Sequence, residues 1–303
     1  MAKIKSITRY VYQYQRKDVF DDEQIESKKK VSYTEFDQNS NNILDIIFDN
    51  AGNIENRVVR VFDAENLQTE EHSFNDESNQ AYENKYYIYN NRILTTCRIS
   101  YEEGDEFEEQ YISTPEGHLL KKNIVYGDGD MTTELECTWE NNLIQRIVEY
   151  DDDEQENIVK SYNYNEKGQL ISTITEDKIN GDKTTEEYLY QDDFVVEQKT
   201  YNLKDMLVSV TKNIYNEKKQ LIGKIVETTS QYLKYIYSYN EQGLLKRESL
   251  LNKDDIVLSD KEYLYNSEGL ETEVVVSSRN IIENEKDEMI LTQKIVNEYQ
   301  YWD

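Results

Sequence analysis

Alternation with a period of two runs through this chain. Tyr235, Tyr237 and Tyr239 are separated by Ile236 and Ser238, and Tyr162/Tyr164, Tyr188/Tyr190 and Tyr263/Tyr265 repeat the pattern. Residues two apart share one face of a strand, so each set forms a tyrosine row on one side. A helix would need apolar residues three and four apart, and that spacing is not sustained. After each row comes a polar turn, then a second alternating stretch. Leu170, Ser172 and Ile174 match Leu221, Gly223 and Ile225 and, more loosely, Leu143, Gln145 and Ile147. The pattern predicts β-hairpins.

The hairpins recur. Aromatic-turn phrases begin at Phe36, Phe62, Tyr89, Ser113, Trp139, Tyr164, Tyr190, Tyr215, Tyr239 and Tyr265, at intervals of 24 to 27 residues. Ser113 lacks the ring, but Tyr111 lies two residues earlier on the same strand face. Even spacing over most of the chain marks a structural repeat. A unit of about 25 residues holds two strands of eight to ten residues and two turns. The second turn reads as looser and polar, as in "EDKINGDKT", "LNKDDI" and "YDDDEQEN". The fold class expected is all-β: an antiparallel β-hairpin repeat array in one long twisted or curled meander sheet, open or rolled into a partial shell. It forms a single domain over 1–303, with N-terminal capping strands in 1–35, hairpin repeats in 36–271 and C-terminal capping strands in 272–303. Tyr10, Tyr12 and Tyr14 at one end and Tyr299 and Tyr301 at the other mark the terminal units. An acidic insertion, "NIIENEKDE", precedes the last.

Composition sharpens this picture. The 26 Tyr against 7 Phe argue for thin packing, with rings covered and hydroxyls wet. With one Pro and ten Gly, the turns must rely on Asn and Asp. The formal charge is −28, from 62 acidic and 34 basic residues, which disfavours nucleic acid and anionic membranes as direct ligands. Solubility explains such a charge, and a basic partner would exploit it. Cys97 and Cys137 form no disulfide framework or metal pattern. No apolar run reads as a signal peptide or membrane span, so a cytoplasmic location is expected.

The phrases "YNEKGQLI" from Tyr164, "YNEKKQLI" from Tyr215, "YNEQGLL" from Tyr239 and "YNSEGLE" from Tyr265 resemble the RHS or YD repeat, Tyr-Asp-x-x-Gly-Arg-Leu. The resemblance covers about Phe36 to Glu271. Asn replaces Asp in most units, the period is longer, and the Arg after Gly is absent. Large members of that family form cocoons around toxin domains, or act as ligand-binding surface proteins. Ten units are too few for a closed cocoon, so the resemblance implies hairpin architecture and no activity.

No phosphate loop, dinucleotide fingerprint, nucleophile elbow or zincin motif occurs. His72, in a polar stretch read as a long loop, and His118, after a repeat turn, read as surface residues. Cys97 and Cys137 read as packed strand residues. "YGDGDMTTELE" reads as a tight acidic turn. Carboxylate pairs such as Glu102/Glu103 and Asp192/Asp193 carry little information in so acidic a chain. The expectation is therefore no enzyme, no cofactor and no metal. It is a protein that binds a basic protein partner: an acidic cytoplasmic immunity or antitoxin-like protein that neutralises a basic toxin. The alternatives are a structural scaffold or subunit of a larger assembly, and a glycan-binding surface protein. Candidate partner-binding residues are the densest acidic run, Asp151, Asp152, Asp153 and Glu154, and the tyrosine rows Tyr235, Tyr237, Tyr239, Tyr263 and Tyr265.

Overall fold

A computed structural model describes residues 3–16, 24–75, 79–279 and 288–303. Of the acidic insertion at 280–288, all but Glu288 lies outside them. The strands are β1 (Ile4–Arg16), β2 (Gln24–Phe36), β3 (Asn42–Phe48), β4 (Ile54–Phe62), β5 (Gln68–Asn75), β6 (Glu83–Asn90), β7 (Ile93–Tyr101), β8 (Glu106–Ser113), β9 (Leu119–Tyr126), β10 (Met131–Glu140) and β11 (Leu143–Tyr150). They continue as β12 (Glu156–Tyr164), β13 (Leu170–Asp177), β14 (Asp182–Gln191), β15 (Phe194–Tyr201), β16 (Leu207–Tyr215), β17 (Leu221–Thr228), β18 (Tyr232–Tyr239), β19 (Leu245–Leu251), β20 (Val257–Tyr265), β21 (Glu271–Arg279) and β22 (Met289–Tyr301).

Each strand pairs antiparallel with the next in sequence, and β1 also pairs with β22, with Ile7 opposite Tyr299 and Val11 opposite Ile295. The meander thus closes into a 22-stranded barrel. This corrects the expectation of an open or curled sheet. In an up-and-down meander the first and last strands are antiparallel only when the strand number is even, so parity permits the closing ladder. Closure also removes the two unpaired edges that an open sheet would expose. Within the terminal segments, β1 and β22 meet at this seam.

Many of the turns repeat one device. In the turn after Tyr164, the Asn165 side-chain oxygen accepts the N–H groups of Lys167 (2.9 Å) and Gln169 (3.0 Å). Asp151, Asn202 and Asn252 do the same in the second turns of their units: Asp151 accepts from Asp153 and Gln155, Asn202 from Lys204 and Met206, Asn252 from Asp254 and Ile256. These second turns, expected to be looser, are therefore built like the first. The physical repeat is one strand and one turn, and the unit of about 25 residues contains two of them.

The turn after Tyr215 carries Lys219 at φ 64°, where its counterpart Gly168 sits at φ 77°. Lys219→Gly is expected to raise stability by about 0.5 kcal/mol, the left-handed penalty less glycine's extra chain entropy. The urea midpoint reads this directly; a lower midpoint would show that the contact of Lys219 Nζ with the Phe194 ring (5.6 Å) is worth more.

Directly opposed residues share a face. Following the ladders around the ring joins the tyrosine rows into one continuous face. It is the concave one: its ion pairs are shielded, with the side chains of Lys122 and Glu109 17% and 18% exposed, whereas Arg98 and Arg247 on the other face are 63% and 57% exposed. Here the landmark rings lean onto the neighbouring hairpin. Tyr89, Tyr164, Tyr215, Tyr239, Tyr265 and Tyr299 each donate a hydroxyl hydrogen bond to the backbone carbonyl of Gln68, Ile144, Val195, Leu221, Leu245 and Glu271 respectively. Trp139 uses its indole N–H on Leu119 in the same way. Each such bond contributes about 1 kcal/mol net. Tyr10, Tyr12 and Tyr14 face outward, with Lys28 Nζ 4.1 Å from the Tyr10 ring centroid and Lys294 Nζ 4.8 Å from that of Tyr12.

Among the described residues the barrel has no packed centre. Among the described residues the buried apolar side chains are Cys97, Ile99, Val148, Val159, Leu251 and Val274. Strands at about 4.8 Å spacing set the backbone ring of a 22-stranded barrel at a radius of at least about 17 Å, too wide for side chains to fill. Stability comes from neighbour-to-neighbour contacts around the wall.

Candidate protein-binding rim

In a strict meander, every connection from an odd to an even strand lies at the same end of the barrel. The β7–β8, β9–β10 and β11–β12 turns are three consecutive members of that set. They carry Glu102, Glu103 and Asp105, then Asp128 and Asp130, then Asp151, Asp152, Asp153 and Glu154, and no basic residue. Successive turns at one end are two strand spacings apart, about 10 Å, which matches the screening length near physiological salt. Their fields therefore overlap.

The turns are held in similar shapes. Tyr101 N–H donates to Asp105 O, Tyr126 N–H to Asp130 O and Asp151 N–H to Gln155 O, at 2.9 to 3.0 Å. The fourth residue of each is left-handed: Gly104 at φ 97°, Gly129 at φ 92° and Glu154 at φ 57°. Glu154 offsets its strain with a carboxylate bond from Thr133 N–H at 3.2 Å. Elsewhere at this end, hydrogen bonds hold two carboxyls below the usual range, Asp49 by the amide and N–H of Asn53 and Asp177 by the N–H and amide of Asn180.

Lysines and arginines are widely committed to pairs within the wall. On the inner face Arg60 holds Asp45 (2.7 Å) and Glu71 (3.0 Å), and Lys122 holds Glu109 (2.7 Å) and Glu134 (2.8 Å). On the outer face Arg146 holds Glu156 and Arg247 holds Asp260. The negative excess is thus left in the turns.

The candidate residues divide between two places. Asp151, Asp152, Asp153 and Glu154 lie on the acidic rim, joined there by Glu102, Glu103, Asp105, Asp128 and Asp130. Spacing alone could not select these, because their adjacency follows from loop order in the ring. Tyr235, Tyr237 and Tyr239 on β18 and Tyr263 and Tyr265 on β20 line the inner face several strands away. Tyr239 and Tyr265 sit at the opposite end with their hydroxyls already bonded, and Tyr235 and Tyr237 stack at 6.4 Å. The two groups therefore do not form one surface.

His72 is a strand residue of β5, not a loop residue. Its ring nitrogens contact Asn84 (2.7 Å) and Glu70 (3.0 Å), and its ring meets that of Tyr86. His118 packs edge-on against Trp139, with centroids 4.4 Å apart. Cys97 is 1% exposed, and burial, reinforced by Glu109, pushes its thiol up to about 11. Such a thiol is a poor nucleophile at neutral pH.

No family model and no curated protein matches the chain, so the likeness to the YD repeat stands on the residues alone. Among solved structures, the chain is similar to a porin-like protein from Bacteroides uniformis, at 8% identity and a TM-score of 0.36, covering 98% of each chain. It is also similar to a chain of the TcdB2-TccC3-Cdc42 complex, at 12% identity and a TM-score of 0.35, covering 83% of this chain and 16% of that one. A porin-like protein from Bacteroides vulgatus overlaps more loosely, with 9% identity, a TM-score of 0.21, and 88% and 100% of the two chains covered. These overlaps are too loose to transfer an activity or a partner.

Proposed function

We propose that the chain is a non-catalytic binding protein that captures a basic protein through the acidic end of its barrel, in the manner of an immunity or antitoxin-like protein that neutralises a cationic toxin. The observation that carries this reading is the gathering of nine acids on three consecutive turns with no cation among them. Such a surface speeds encounter with a cationic partner and rejects anionic ones.

The outer face supports a barrel in water. Cross-strand pairs set Glu187 opposite Lys199, Glu197 opposite Lys212 and Arg247 opposite Glu262 across that face. On a lipid-facing wall, each lysine or arginine at midplane would cost about 2–4 kcal/mol. A scaffold working through strand addition finds no free edge among the described strands, since β1 and β22 are paired. Of the candidate tyrosines, Tyr239 and Tyr265 have their hydroxyls tied to backbone carbonyls and Tyr235 and Tyr237 stack on each other, which leaves a poor glycan platform.

The test is affinity capture of the tagged protein from its native cells at low and high salt. One dominant basic protein, lost at high salt, is expected. The triple variant Asp151→Asn, Asp152→Asn, Asp153→Asn should weaken that capture about tenfold or more at low salt, through loss of three rim charges. A salt-resistant set of several partners would sink the reading in favour of an assembly subunit.

A further inference from the structure

The acidic end changes character just past the acidic turns. The next two turns round the ring at that end, β13–β14 and β15–β16, carry Ile179 at 62% exposure, Leu203 at 51% and Met206 at 53%. Ile179 is the most exposed large apolar side chain among the described residues. Leu207, which opens β16, and Ile256, two turns further on, are exposed too. Turn chemistry does not demand these side chains. The capping residues Asp151, Asn165, Asn240 and Asn252 are followed by Asp152, Glu166, Glu241 and Lys253, whereas Asn202 is followed by Leu203. The backbone is the same, since Asn202 accepts the N–H groups of Lys204 and Met206, and Asp205 is left-handed at φ 54°. Met206 holds the place that Leu244 and Leu270 hold in turns at the opposite end. There Leu244 lies against Gly269 of the next turn, whereas Met206 is left open. Charge follows the same division. Residues 178–181 and 202–206 hold two lysines and one aspartate, beside the nine acids of the three preceding turns, and Lys178 is already held by Glu176 at 2.7 Å.

Single exposed apolar residues are ordinary on a protein surface. Neighbouring apolar turn tips that continue a charged arc have instead the arrangement of an interface, with an apolar centre beside a charged border. We infer that Ile179, Leu203 and Met206 receive an apolar patch that borders the cationic surface of the basic partner. The inference rests on the reading of the acidic end as the binding surface and adds its short-range part. The acids attract and orient the partner, and the apolar tips shed water on contact and slow its release. Met206 is unbranched and adapts to the shape it meets. The partner's binding face is therefore amphipathic. It sets cations against 102–105, 127–130 and 151–154, and apolar side chains against tips about 10 and 20 Å beyond the last acidic turn. A purely cationic partner would engage only the first part of this surface.

Two peptides, titrated into the full chain by calorimetry at about 50 and 300 mM salt, test this. One is hexa-lysine. The other is hexa-lysine followed by Gly-Gly-Leu-Leu-Trp-Leu, an extension that reaches about 20 Å, or two turn spacings. Three proteins are compared: the native chain, the apolar variant Ile179→Ser/Leu203→Ser/Met206→Ser, and the rim variant Asp151→Asn/Asp152→Asn/Asp153→Asn. All six positions lie in turns, and circular dichroism checks that both variants keep the sheet. The native chain is expected to bind the extended peptide about tenfold more tightly than hexa-lysine, and the apolar variant to lose most of that gain. The rim variant should lose affinity for both peptides, mainly at the lower salt. No gain from the extension, or a gain that the apolar variant keeps, overturns the apolar anchor; salt-sensitive binding of hexa-lysine then leaves the rim reading standing. Absence of salt-sensitive hexa-lysine binding by the native chain overturns the rim reading, and the anchor with it. Sedimentation velocity supplies the remaining outcome: a native chain that self-associates where the apolar variant does not would assign these tips to a second copy and overturn the inference.

Discussion

The barrel is expected to lose stability steeply as pH rises from about 10 to 12, while tolerating neutral and mildly alkaline conditions. Inner-face acids with weak protons are the cause. Burial pushes the Tyr237 phenol up to about 12, with the Glu248 carboxylate adding to it. Tyr87 and Tyr111 are pushed higher still, by burial first and then by Glu71 and by the hydrogen-bonded Glu109 respectively. The Cys97 thiol goes up to about 11. Each group holds its proton more tightly in the native state than in the unfolded chain. The resulting stability is fully present below the unfolded values, near 9 for the thiol and 10 for the phenols, and is lost as pH rises through the folded ones. Each tenfold gain in proton affinity on folding corresponds to about 1.4 kcal/mol, and partial exposure of the phenols screens part of it. The four groups together then contribute on the order of 5 kcal/mol, a large share of a typical domain's stability. Tyrosinate absorbance and the far-ultraviolet strand signal should change together in one cooperative step. A smooth titration centred near 10, with the sheet intact to about pH 12, would contradict this account.

Asn297→Ala should cost about 2–3 kcal/mol. Asn297 is 5% exposed on β22, beside the closing ladder. Its side-chain oxygen accepts from Arg9 Nε on β1 at 2.9 Å, and its amide donates to the Glu271 carbonyl on β21 at 3.1 Å. Truncation leaves the Arg9 guanidinium without this acceptor at the one junction formed between residues nearly 300 apart in sequence. Ladders elsewhere join sequence neighbours, so loss of this contact weakens the pairing whose loop-closure entropy is largest. Chemical denaturation should give a lower midpoint. A cooperativity that also falls would show the seam opening before the rest of the wall. Tyr164→Phe, which removes one of the repeated hydroxyl-to-carbonyl bonds, serves as the comparison; an Asn297→Ala effect no larger than its own would show that the seam is not specially dependent on this residue.

Much of the fold is legible locally. The period-two rows place the strands, as in Tyr162/Tyr164 before the turn and Leu170, Ser172 and Ile174 after it. "YNEKGQLI" declares an Asx-capped turn through Asn165 and Gly168. The second turns read as looser because Tyr150-Asp151 and Leu251-Asn252 lack the glycine, although Glu154 and Asp255 adopt its left-handed backbone. His72 reads as a loop residue because its polar neighbours hide an alternating strand whose inner-face members, Glu71 and Ser73, are themselves polar.

The sequence by itself determined the strands, the turn chemistry, the negative charge and the pairing of each strand with the next, because all of these follow from residues within about 25 positions of one another. Only the tertiary structure decided that β1 meets β22, that the tyrosine rows turn inward while Tyr10, Tyr12 and Tyr14 turn out, and that Glu102, Asp128 and Asp151 share one rim. Closure depends on the parity of the strand count and on register summed over the whole ring, and no single hairpin carries that information.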